Sequence, residues 1–327
     1  MTTRRPIRFG VICEQMQSAK GWITKAQRAE ACGYATVLLR DHFIREPFGD
    51  QLAPLIALMA AANVTRTLRV GSLVLDNDYR HPVLLAKEAA TLDLLSQGRF
   101  ELGIGAGWLR AEYEQAGMAF ESAGVRVSRL EEAIHVIKGL FADQPLTFAG
   151  NHYTVTNLNG FPKPVQRPHP PLLVGAGSKR MLALAGQEAD IVGILPKALP
   201  NGTISEEITE RLSATLAQKV EWVRQAAGTR FYDLELNMVI APIFTEQRQQ
   251  RAEQLARERG WSGITAQDVL DMPSIFIGTA DQIVEDLLRR QEQYGFSYFV
   301  VSDASMEAFA PVVSRLAGSE GCSSNGC

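Results

Sequence analysis

The chain has 327 residues, of which 46% are hydrophobic and 21% charged, and its formal net charge is −3. That composition supplies a large globular core. It lacks the basic excess of a nucleic-acid-binding protein and any apolar run of the roughly 20 residues needed to cross a bilayer. Arg4 and Arg5 lead straight into a strand-like segment with no apolar signal region behind them, so a cytoplasmic, enzyme-sized protein is expected.

Residues 8–13 form a short apolar run, followed by a helical pattern over 22–32 that Gly33 stops. Residues 36–39 are β-branched and apolar, 51–63 read as helix, and 68–75 as strand. Pro82 opens a helix that reaches Leu95, at a position where its missing N–H costs nothing. Residues 100–104 are strand, and 125–141 are helix with Leu130, Ala133, Ile134, Ile137 and Leu140 on one face. Residues 145–170 break the rhythm: 146–155 read as a hairpin turning at Gly150 and Asn151, and a proline-rich connector covers 162–171. The alternation resumes with strand 172–174, helix 179–186, strand 191–194, loop 196–204 and helix 205–227. Strand 234–244 follows, then helices over 247–259, 266–272 and 279–294, a last strand over 298–301 and a last helix over 306–316.

Eight strand candidates alternating with helices imply parallel strands joined by right-handed crossovers. The fold class is α/β, read as a (β/α)8 TIM barrel over residues 1–317 with a hairpin and loop insertion after the fourth helix. An open doubly wound sheet is the alternative. Residues 318–327, rich in Gly, Ser and Asn, read as a disordered tail that contains Cys322 and Cys327. Cys13 and Cys32 read as buried thiols.

In a barrel the segments that follow the strands gather at one face. Here those segments hold Glu14 and Gln15, then Asp41, His42 and Phe43, then Asp76, Asn77, Tyr79, Arg80 and His81. They also hold Gly105, Ala106, Gly107, Trp108 and Arg110, and later Ala176, Gly177, Ser178, Lys179 and Arg180. The glycine-rich turns at 103–107 and 175–177 expose bare backbone that suits a phosphate, and they equally suit tight strand-to-helix packing. Two such turns in one chain point to a phosphorylated cofactor gripped by more than one loop.

Asp41 and His42 are the acid–base candidates. A histidine titrates near neutral pH, and the adjacent carboxylate can hold it or a bound ring N–H. The alternative is that His42 caps a helix or bonds a backbone carbonyl. His81, before Pro82, reads as a turn residue, and His135, His152 and His169 as structural or solvent-facing. The five histidines show no metal-ligand spacing, and no Gly-x-Ser-x-Gly nucleophile elbow occurs.

These residues resemble the luciferase-like monooxygenase superfamily, and more closely its branch that uses the deazaflavin coenzyme F420. The resemblance is carried by Phe9 and Gly10, by Asp41, His42 and Phe43, by residues 70–74, and by Tyr79, Arg80, His81 and Pro82. It continues through 95–99, 103–113, 150–177 and 185–190, and covers nearly all of 7–316. It implies a cofactor ring lying across the carboxyl end of the barrel, with a non-proline cis peptide beneath it at Leu73-Val74. It implies that Asp41 and His42 face the ring and the reacting substrate carbon. The implied cofactor contacts are Gly10, Asp41, Ser72, Leu73, Val74, Gly105, Ala106, Gly107, Trp108, Ala176, Gly177, Lys179 and Arg180. Among these, the 105–107 backbone with Ala176 and Gly177 would hold the phosphate and its tail. Lys179 and Arg180 would meet an acidic oligoglutamyl extension, or else simply be solvated.

The chain departs from the pattern at Trp108, where members that oxidise sugar phosphates carry a glutamate. A carboxylate proton donor is therefore expected to be missing, and a less polar or aromatic substrate is expected. The implied activity is hydride transfer between coenzyme F420 and a small organic substrate such as an alcohol, ketone, imine or activated alkene. The alternatives are a monooxygenase using reduced FMN and oxygen, and a non-catalytic barrel that binds a small phosphorylated ligand or a partner protein. The implied partners are a small-molecule substrate and a second copy in a homodimer, with no nucleic acid, membrane or metal.

Overall fold

The computed structural model describes residues 5–14 and 18–317. Gln15 and the tail from Gly318 to Cys327, with Cys322 and Cys327, lie outside the described residues. The chain runs β1 (Arg8–Cys13), α1 (Ala19–Ala31), β2 (Thr36–Leu39), α2 (Pro54–Val64), β3 (Arg69–Ser72), β4 (Leu75–Asp76), α3 (Pro82–Leu95), β5 (Phe100–Gly105), α4 (Arg110–Gln115) and α5 (Ala123–Phe141). It continues β6 (Leu146–Ala149), β7 (Thr154–Leu158), β8 (Leu172–Ala176), α6 (Lys179–Glu188), β9 (Ile191–Ile194), α7 (Ser213–Ala227), β10 (Glu235–Val239) and β11 (Ala241–Phe244). The last elements are α8 (Arg248–Glu258), α9 (Ala266–Asp271), β12 (Ile275–Gly278), α10 (Ala280–Tyr294), β13 (Phe296–Ser302) and α11 (Met306–Leu316).

The strands pair in parallel in the order β3, β2, β1, β13, β10, β9, β8, β5, and β3 also pairs with β5. That last pairing closes the sheet into an eight-stranded (β/α)8 barrel. Strands covered on both faces read as continuous apolar runs, which is why the barrel was legible. Helix starts follow side-chain chemistry. Ser178 accepts from the Met181 N–H at the start of α6, and Thr279 and Gln282 form a capping box at α10. Gly295 then ends α10 in the left-handed conformation.

Two layers of packing place the site. Inside the barrel, Ile12, Leu38, Leu73, Leu173, Ile191, Tyr298 and Val300 form a compact plug. Below it, at the amino ends of the strands, charges close the barrel. Glu101 accepts from Arg8 at 2.6 Å and Arg69 at 2.7 Å, Glu235 accepts from Arg8, and the Tyr298 hydroxyl reaches Glu101 at 3.3 Å. The two guanidiniums, together with hydrogen bonds from both, hold the Glu101 carboxyl low although burial pushes it up. With the lower end filled and charged, the carboxyl end alone is left open.

The third strand is where the sequence and the structure meet most closely. Gly71 stands opposite Glu101 and Leu75 opposite Ile104, so residues 72–74 face only residues 102–103. The strand bulges there, and the Leu73-Val74 peptide is cis, as the resemblance implied. The bulge accounts for the alternating glycines of β5. A Cβ at Gly103 would overlap the Ser72 carbonyl oxygen, and one at Gly105 would press on Val74 at 2.8 Å. The glycine-rich turn is first a packing device.

Three expectations change. The helix read over 205–227 begins at Ser213, because 196–212 form a long segment over the barrel mouth with a single 3-10 turn at Ile208–Arg211. The strand read over 234–244 leaves the barrel at Ile240. Its second half, β11, pairs with β12, a four-residue apolar run that the sequence pattern did not distinguish. With α8 and α9 these strands bury a separate small core around Val269, Met272 and Ala252. The six-residue helix α4 hides within the glycine-rich motif.

Candidate active site

At the carboxyl end a cavity of about 570 Å³ opens, walled by Arg40, Asp41, His42, Phe48, Leu73, Val74, Leu75, Asp76, Gly107, Trp108, Glu112, Arg211 and Val239, among others. That volume suits a cofactor ring with a small substrate. The predicted residues Asp41, His42, Leu73, Val74, Gly107 and Trp108 share this one wall.

His42 is held from behind. Its Nδ1 lies 2.9 Å from Glu112 Oε2. Glu112 is 1% exposed and fully engaged. Oε1 accepts from the Phe43 and Ile44 N–H groups at 2.6 and 3.1 Å, and Oε2 accepts from the Tyr79 hydroxyl at 3.0 Å. Burial pushes the Glu112 carboxyl up, but His42 and the two backbone donors outweigh it and hold it below the usual range. An ionised carboxylate only accepts, so the proton of a neutral His42 ring sits on Nδ1. Nε2 has no partner among the described residues and is left to the cavity. Phe48 and Trp108 flank the ring at 5.0 and 6.0 Å between centroids.

Asp41 does different work. Arg80 grips both its oxygens, one of them at 3.0 Å, and the Asp76 N–H donates to it at 3.1 Å. Of the two roles expected of Asp41, holding His42 or a bound ring N–H, the first falls instead to Glu112, seventy positions along the chain from His42. The signal for it lay in the Gly103–Tyr113 motif, but nothing in the spacing tied residue 112 to residue 42.

The expectation that a carboxylate is missing also changes. Trp108 does line the cavity, but Asp76, Glu112 and Glu206 line it too. Asp76 is 8% exposed and takes the Tyr113 hydroxyl on both oxygens, at 2.8 and 3.0 Å, with the Asp78 N–H at 2.9 Å. Burial outweighs those bonds and pushes its carboxyl up to about 7. Gly107 must be glycine: its φ is +72°, and a Cβ would strike the Tyr113 hydroxyl and Asp76.

The other predicted cofactor contacts stand outside the cavity wall. Gly10 lies deeper in the barrel, where a Cβ would meet Tyr298 and Leu38. Ser72 bridges strands, accepting from the Gly103 N–H and donating to the Gly103 carbonyl. Gly105 and Ala106 continue from β5 toward Gly107, and Arg126 donates to the Ala106 carbonyl at 3.1 Å. Ala176 ends β8, and a Cβ on Gly177 would strike the Pro196 carbonyl. Lys179 and Arg180 are exposed at the start of α6, Lys179 over the Trp222 ring and Arg180 on the Gly124 carbonyl. His81 caps α3 through Nδ1, as the turn reading expected.

The luciferase-like monooxygenase family model matches residues 6–314. The F420-dependent glucose-6-phosphate dehydrogenase of Kineococcus radiotolerans is 32% identical over 193 residues, 58% of this chain and 56% of that protein. The FMNH2-dependent dimethylsulfone monooxygenase of Pseudomonas putida is 28% identical over 190 residues, 55% of this chain and 51% of that one. The chain thus spans about half the length of these curated relatives. Among solved structures, an F420-dependent secondary alcohol dehydrogenase in complex with an F420–acetone adduct superposes with a TM-score of 0.72 at 19% identity, covering 94% of this chain and 98% of that one. By barrel, bulged third strand and family model alike, the chain belongs to the luciferase-like monooxygenase family.

Proposed function

We propose that this chain is an oxidoreductase that transfers a hydride between coenzyme F420 and a small organic substrate, with His42 as the group that carries the proton. One observation bears the reading: a histidine in the cavity wall whose Nδ1 is fixed on a buried carboxylate and whose Nε2 is free. Hydride transfer to or from a carbon–oxygen or carbon–nitrogen bond needs a matching proton at the heteroatom, and a proton-accepting nitrogen open to the cavity supports that reading.

The wall fits a planar deazaflavin. Leu73, Val74, Leu75, Val239 and Trp108 offer apolar surface for a ring, and Gly107, with φ +72°, lets backbone approach it. When bound, the deazaflavin supplies the hydride donor or acceptor. His42 Nε2 takes a proton from a substrate hydroxyl in oxidation, or returns it in reduction. Glu112 keeps the ring in the tautomer that permits this and stabilises the imidazolium that forms. Asp41 fixes Arg80 and the Asp76 N–H, and so holds the bulged strand against the loop that carries His42.

The test is turnover. Purified protein is mixed with the oxidised coenzyme and a panel of alcohols, and with the reduced coenzyme and ketones, imines and activated alkenes, without oxygen. A change in the coenzyme's visible absorbance with at least one substrate supports the reading. Oxygen-dependent turnover with reduced FMN, and none with the deazaflavin, overturns it.

A further inference from the structure

Several charges around the cavity are already matched. Arg80 holds Asp41, Glu112 holds His42, and Arg40 reaches Glu14 at 2.7 Å while stacking on Phe48. Arg211 is different. It ends the 3-10 turn Ile208–Arg211 in the segment over the barrel mouth and lines the cavity. It is partly buried, and among the described residues its side chain makes no hydrogen bond and no ion pair; its ring neighbour is Trp261 at 5.9 Å. Burial and the nearby Arg259 disfavour its charge, and Glu206 favours it from beyond ion-pair range. A guanidinium stays charged throughout the working pH range, and a partly buried one is normally matched by an acid group. With it in the wall stand the apolar Leu195, Pro196, Ile204 and Val239, and the polar Thr203, Ser205 and Glu206.

We propose that Arg211 binds the acid group of an otherwise apolar substrate: a carboxylate, sulfonate or phosphate held by the planar guanidinium fork while the body lies against the apolar wall. This rests on the reading of the cavity as the substrate site. A cofactor phosphate is a second source of the same chemistry, and the test separates the two.

The probes are anilinonaphthalene sulfonate and the uncharged phenylnaphthylamine of the same ring skeleton, followed by fluorescence. Energy transfer from Trp108, reduced in Trp108→Phe, locates the sulfonate dye in the cavity. Arg211→Leu is expected to weaken the sulfonate dye about tenfold or more and to leave the neutral dye within about twofold, with Arg211→Lys recovering part of the loss. FMN and F420 affinities are expected to be unchanged in Arg211→Leu. The proposal is overturned by sulfonate binding that Arg211→Leu leaves unmoved, by equal weakening of both dyes, by no transfer from Trp108 in the unmodified protein, or by a fall in cofactor affinity, which assigns Arg211 to the cofactor's phosphate. No turnover is involved, so an unproductive substrate panel bears on the hydride-transfer reading and leaves this result standing.

Discussion

Glu112→Gln changes almost nothing in shape and reverses the chemistry at His42. The carboxylate now accepts four hydrogen bonds, from the Phe43 and Ile44 N–H groups, the Tyr79 hydroxyl and His42 Nδ1. In the glutamine variant one oxygen remains, and the two backbone donors, which cannot turn away, retain it. The amide NH2 then faces Tyr79 and His42. It can only donate, so Nδ1 must accept and the ring proton moves to Nε2. The nitrogen that took a proton from substrate now carries one. The imidazolium also loses its adjacent negative charge. A charge-assisted hydrogen bond of about 1.5–3 kcal/mol corresponds to about 10–150-fold, and loss of a general base to about 10²–10⁴-fold. We expect kcat/KM to fall about 10²–10³-fold, with cofactor affinity changed less than about threefold. Steady-state kinetics and cofactor titration read both numbers. Near-normal turnover in a folded variant would refute the reasoning, because it would leave Glu112 with packing alone to do.

His42→Ala should slow turnover about 10²–10⁴-fold while sparing cofactor binding, and an unchanged rate removes His42 from the chemistry. Asp76 has a carboxyl raised to about 7, against about 3.9 in the unfolded chain, so the folded state favours its proton. Its contribution is fully present below the unfolded value and is lost as pH rises through about 7, by up to about 4 kcal/mol. In urea titrations, Asp76→Asn should therefore gain stability relative to the unmodified protein between the two pH values, and a pH-independent difference contradicts this. Glu101→Gln, which leaves Arg8 and Arg69 facing each other across a buried site, should cost about 3–5 kcal/mol by denaturant unfolding. Gly107→Ala should cost about 2–4 kcal/mol through the Tyr113 and Asp76 clash, and a melting temperature equal to that of the unmodified protein counts against the positive-φ argument.

The barrel was legible because its strands are short apolar runs spaced by helices, and burial on both faces needs nothing subtler. The cis peptide at Leu73-Val74 and a common cavity for Asp41, His42, Gly107 and Trp108 were what the family resemblance implied. What stayed hidden was pairing across the fold. Glu112 sits seven residues from Gly105 in the chain, yet its four bonds go to residues 42, 43, 44 and 79. The glycines were read toward a phosphate because bare backbone has two uses. The structure spends Gly103 and Gly105 on the bulge of the third strand, which no local pattern marks. The segment over the mouth was read partly as helix because residues 205–212 are compatible with one. Bonds such as Ser205 N–H to the Lys197 carbonyl and Lys219 to Glu210 hold it in another shape.

A deazaflavin at the barrel mouth is tested by titrating the purified protein with oxidised F420 and with FMN side by side and following each cofactor's own fluorescence. Saturable F420 binding that Trp108→Ala weakens, with FMN bound far less well, is the expected result. Tight FMN binding with none for F420 would contradict it.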